Sequence, residues 1–152
     1  MTRALGPVIA VVALASLLLG GCVTPAPSTS AYAAKAGMTA DAAVSEVRTA
    51  LLATDAFLHG RMTAAYLETL LVDAEESVGS VHDTFDSVQP PAAPGADSLR
   101  DTLDPLLEDA SSAVTELRIA VRRDRDEDLR TTAGDLSGVA DELEAFAKQH
   151  AS

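Results

Sequence analysis

Thr63-Ala-Ala-Tyr-Leu-Glu-Thr-Leu-Leu-Val-Asp-Ala-Glu-Glu-Ser-Val-Gly-Ser-Val-His-Asp-Thr-Phe-Asp-Ser-Val88 decides the fold class. Its apolar residues Leu67, Leu71, Ala74, Val78, Val81, Phe85 and Val88 recur at alternating steps of four and three, which is one face of a helix. Met62 before a Thr63 cap and Leu67 after it have the spacing of a hydrophobic staple. Run to Val88, the helix is about 39 Å long.

Three neighbours repeat the pattern. Upstream, Ala40, Val44, Val47, Leu51 and Leu58 form a seam with Thr54 in its gap. The helix is expected to open at Thr39 and stop at His59-Gly60, glycine being favoured at a left-handed C-terminal cap. Downstream, Gln89-Pro-Pro-Ala-Ala-Pro-Gly-Ala96 excludes helix. A third helix starts at Ser98, or at Asp104 with Pro105 in its first turn, and buries Leu103, Leu107, Ala110, Val114, Leu117 and Val121. A fourth opens at Asp124, with Glu127 completing an acidic capping box, and buries Leu129, Ala133, Leu136, Ala140, Leu143 and Ala147. One continuous helix across both segments would put Asp124 and Asp128 in the core, so a turn is expected there. Four helices with short, long and short connections predict an antiparallel four-helix bundle of two hairpins over residues 39–150. Gly134 and Gly138 are expected where another helix comes close.

The N-terminus has a different character. Arg3 precedes an uncharged run, Ala4 to Leu19, that ends in Leu19-Gly20-Gly21-Cys22. This resembles the signal peptide and lipobox of bacterial lipoproteins. The resemblance implies cleavage after Gly21 (residues 1–21 lost), a diacylglyceryl group on Cys22, and residence on the outer face of the cell membrane. A multi-chain lipid anchor holds stably at about 0.8 kcal/mol per buried CH₂. Residues 22–38, with Pro25 and Pro27, read as the lipidated cysteine and a flexible tether. The globular part resembles the small helical-bundle lipoproteins of actinobacteria, on the strength of the Val88-Gln89-Pro90-Pro91 break, and that resemblance implies no activity.

Composition excludes several classes. The chain carries 23 acidic against 11 basic residues, a net charge of −12; loss of residues 1–21 removes only Arg3 and leaves −13. Such a surface is repelled by phosphate backbones, which argues against nucleic acid as a partner. The single cysteine rules out a disulfide within the chain and Cys-x-x-Cys-His haem attachment. A ferritin-like di-iron centre needs Glu three residues before an inward histidine, yet Ala56 and Gly79 precede His59 and His82. Neither a Gly-x-Ser-x-Gly elbow nor a phosphate-binding glycine loop is present.

What remains is Glu75, Glu76, His82, Asp83 and Asp86. This is a solvated acidic face first; His82 and Asp86, one turn apart, form a weak pair of metal ligands second. Arg122 to Asp128 is a charged turn before it is a docking patch. The expected function is a non-enzymatic module, without cofactor other than the lipid on Cys22, that binds another envelope protein. The alternative is a carrier of a small molecule or metal. Leu52, Phe57, Leu70 and Val72 lie off the main seams: most are expected to widen the core, and those left outside would supply an exposed apolar stripe for a partner.

Overall fold

A computed structural model describes residue 26 and residues 28–151. The expectations placed on the signal segment, on Leu19, Gly20 and Gly21, and on Cys22 lie outside the described residues. Four helices form: α1 (Thr29–Leu58), α2 (Ala64–Asp86), α3 (Ala96–Arg122) and α4 (Asp126–His150). They pack as an antiparallel four-helix bundle. Each helix lies against its neighbours around the ring, α1 also meets α3 across the diagonal, and α2 and α4 do not meet. Among the described residues, no helix is long and apolar enough to cross a membrane.

The diagonal follows from side-chain size. α1 buries Ala36, Gly37, Ala40, Ala43, Val47, Ala50, Ala53 and Thr54, a face of small groups that lets α3 come in. α3 answers with Leu103, Leu107, Val114 and Leu117, all fully buried. Of the expected α2 seam, Leu67, Leu71, Ala74, Val78 and Phe85 are buried, while Val81 and Val88 are half-buried against the core and Val88 lies past the helix end at Asp86. Along α4, Leu129, Leu136, Ala140, Leu143 and Ala147 are buried, and Thr132 and Phe146 join them.

The first correction concerns the tether. Helix begins ten residues before Thr39, because Ser28 caps it and its Oγ accepts from the Ala31 N–H at 3.1 Å. The alanine-rich segment 29–38 has high helix propensity, and Tyr32 and Ala36 are buried on the same face as Ala40 and Ala43. The prolines that oppose helix all precede the cap. The α1 seam is correspondingly centred on alanines, and Val44 and Leu51 sit half-buried at its edge.

The helix ends are closed by backbone chemistry. At the end of α1, Gly60 has φ 69°; its N–H reaches Phe57 O and the Arg61 N–H reaches Ala56 O, both at 2.8 Å. That is a Schellman closure with glycine at its left-handed position. The α3 end repeats it without glycine. Asp124 takes φ 53°, its N–H bonds Val121 O at 3.1 Å, and Arg125 N–H bonds Ala120 O at 3.0 Å. The expected turn is therefore present, but Asp124 closes α3 rather than capping α4. Arg125 stands at the α4 N-cap, and Asp126, Glu127 and Asp128 complement the dipole. α3 itself starts at Ala96 behind Gly95, φ 90°, so Asp104 and Pro105 lie inside it.

The glycines reverse their expected roles. Gly134 and Gly138 are exposed, and a Cβ on either would meet nothing within 4 Å. Gly37 is the close approach: a Cβ there would stand 2.9 Å from the His150 carbonyl oxygen. Gly134→Ala and Gly138→Ala should each raise stability by about 0.5–1 kcal/mol through helix propensity, whereas Gly37→Ala should lower it. Urea unfolding of the three variants checks the opposite signs.

Candidate functional site

The loop end of the bundle, where α2 hands over to α3, concentrates the chemistry. Tyr32 from α1 and Phe85 from α2 are fully buried and stack with ring centroids 5.5 Å apart. The α3 residue Arg100 lies over Phe85, its Cζ 5.5 Å from the ring centroid. Its Nε donates to the Tyr32 hydroxyl at 3.2 Å, and its Nη2 donates to Val88 O at 2.6 Å and reaches the Phe85 and Asp86 carbonyls at 3.5 Å. One guanidinium thus serves the chain just past α2, donating to the Val88 carbonyl and adding to the Phe85 carbonyl, which already accepts the Val88 N–H at 2.9 Å.

Beside it lie His82, Asp86 and Asp104. One ligand atom from each falls within 4.8 Å of the others. The two α2 residues are those singled out in the sequence; Asp104 comes from α3, and nothing in its spacing announces it. His82 Nε2 is 3.7 Å from Asp86 Oδ2, while Arg100 Nη1 is 3.8 Å from Asp86 Oδ1. Asp104 Oδ1 is buried without a hydrogen-bond partner. Burial pushes the Asp104 carboxyl above its ordinary value and the Asp86 charge adds to this, against the pull of Arg100 and His82. A groove of about 380 Å³, lined by Asp86, Val88, Pro90 and Arg100 among others, opens alongside.

The rest of the acidic face divides. Glu76 and Asp83 are exposed. Glu75 is half-buried and paired: Arg118 Nε donates to it at 2.7 Å and the Thr115 hydroxyl at 2.9 Å, tying α2 to α3. Burial pushes the Glu75 carboxyl up, but the Arg118 and Thr115 hydrogen bonds with the Arg118 charge outweigh it and leave it below its ordinary value.

A second feature runs between the outer flanks of α1 and α4. Ala34, Gly37 and Met38 face Ala147, Lys148 and Ala151 across an open, mostly apolar groove of about 420 Å³. Asp41 and Glu144 complete its wall, and Met38 is 74% exposed. Most of the off-seam residues widen the core, as expected, and no continuous stripe is left among them. Leu52 is exposed, but Phe57 and Leu70 pack against the core and Val72 is half-buried, because the bundle is wide enough to cover them. The Arg122–Asp128 segment is exposed throughout. No family model, curated protein or solved structure matches the chain.

Arg100→Met should cost about 2–3 kcal/mol, since it strands the Tyr32 hydroxyl and the Val88 carbonyl; urea denaturation measures it. Glu75→Gln should cost about 1 kcal/mol at pH 7. Because the folded pKa of Glu75 is lowered, its contribution is present above the unfolded value of roughly 4.3 and lost as pH falls through the folded one. The deficit of Glu75→Gln relative to the parent should therefore close in acid, as denaturation from pH 7 to 3 would record.

Proposed function

We propose that this chain is a lipid-anchored, extracytoplasmic module of the cell envelope, non-enzymatic, that binds another envelope protein. The anchor rests on Leu19-Gly20-Gly21-Cys22 and the uncharged run before it. Cys22 and the Ser28 cap are six residues apart, at most about 21 Å of extended chain. An anchored bundle is then held close to the headgroups, loop end down.

The observation that carries the binding role is the open apolar groove between α1 and α4. Two antiparallel helices with small residues at their junction make a trough that suits a third helix. The occupant that fits is an amphipathic helix with apolar knobs and basic flanks. The knobs would meet Met38, Ala34 and Ala147, and the flanks a domain of net charge −13 after processing. Nucleic acid is disfavoured by the same charge.

The test uses the full chain in a bacterium that processes lipoproteins. Wild type should fractionate with membranes and Cys22→Ser should become soluble; retention of Cys22→Ser in the membrane defeats the anchor. A photo-crosslinking residue at position 38 should give one discrete adduct that Ala34→Glu, at a half-buried position of the groove wall, abolishes and that a probe at position 116 does not give. The same adduct from both positions, or none from position 38, defeats the groove.

A further inference from the structure

The structure assigns His82, Asp86 and Asp104 to a binding site for one divalent transition-metal ion of the zinc class, clipping α2 to α3. It stands independently of the lipid anchor and of the α1–α4 groove. Three donors from two helices converge within 4.8 Å. A tetrahedral ion with bonds of about 2.0–2.2 Å holds its ligands roughly 3.4 Å apart, so small side-chain rotations close the set. His82 Nε2 and Asp86 Oδ2 are already 3.7 Å apart.

The second observation is the Asp104 oxygen. Oδ1 is buried and accepts no hydrogen bond, although a buried carboxylate oxygen without a partner is costly. The neighbouring cation does not serve it. Arg100 directs Nε to Tyr32 and Nη2 to the Val88 carbonyl, and Nη1 approaches Asp86 Oδ1. That last approach leaves Asp86 Oδ2 turned to His82 and orients the carboxylate as an outer-shell partner does. The cluster has two carboxylates, one imidazole and a place for positive charge between them.

Ligand chemistry selects the ion. Imidazole with two carboxylates suits Zn²⁺ and its neighbours, whereas Ca²⁺ and Mg²⁺ take oxygen sets. Three protein ligands leave a fourth position open to water or to a ligand from outside. The side chain of Asp86 is 49% exposed and the adjoining groove offers an entry path.

The experiment is calorimetric titration of Zn²⁺ alone into the untagged full chain, in a Cys22→Ser background that removes the thiol. Binding should saturate at one equivalent with protein at tens of micromolar, and His82→Gln and Asp104→Asn should each weaken it about tenfold or more. His59→Gln should leave it unchanged. Circular dichroism verifies that each variant is folded; Asp104→Asn removes a buried charge and keeps the test valid if His82→Gln unfolds. Cu²⁺ should displace Zn²⁺, and millimolar Mg²⁺ or Ca²⁺ should not. Absence of stoichiometric binding, binding that survives Asp104→Asn, or binding lost in His59→Gln overturns the site, and displacement by Ca²⁺ overturns the class of ion.

Discussion

The close approach of α1 to α3 is the constraint on which the rest of the bundle depends. It exists because α1 presents alanine after alanine where the other helices present leucine and valine. Dispersion and apolar burial reward short interaxial distance, and small side chains permit it. With one diagonal short, α2 and α4 are held apart, and each is left to pack against α1 and α3 alone. A core so built is thin: leucines fill it along its length, and the two fully buried aromatic rings enter it near the loop end. There Tyr32 and Phe85 stack, and Arg100 covers them while closing α2.

Arginine placement follows from the same geometry. In a strongly acidic chain, Arg48, Arg100, Arg118 and Arg122 form ion pairs between helices, while Arg61, Arg125, Arg130 and Lys148 pair locally. Arg48 pairs with Asp141 and Glu144 across α1 and α4, and Arg118 with Glu75 across α2 and α3. The exposed pairs contribute little. Arg118–Glu75 is more enclosed and adds specificity to the α2–α3 register. Most of the remaining carboxylates are exposed, Asp104 with its buried Oδ1 being an exception, and they give the described domain an acidic surface.

Reading the helices from sequence succeeded where the seams consist of Leu, Val and Phe. The α3 face contains every residue its spacing selects, and the α2 face all but Val81 and Val88, which are half-buried, since a leucine at a seam position has no favourable alternative to burial. The method failed where the information lies outside the local pattern. Segment 29–38 reads as tether because prolines precede it and its alanines have no amphipathic contrast, yet Tyr32 is buried against Phe85 and Arg100. Asp124 reads as a cap for the helix after it, although the left-handed conformation that asparagine and aspartate tolerate lets it close the helix before. Gly134 and Gly138 read as contact points from their spacing alone, while Gly37, isolated in sequence, is the one pressed against His150.

The sequence by itself determined four amphipathic helices, their connections, the acidic surface and the His82–Asp86 pair, because each rests on spacing within one segment. Only the tertiary structure decided which helix lies opposite which, that Asp104 joins the pair, that Glu75 is bound to Arg118, and that α1 and α4 leave a groove between them. Those facts depend on the rotation and register of helices distant in the chain. Such quantities are set by the sum of small packing differences over the whole core, and no local periodicity encodes them.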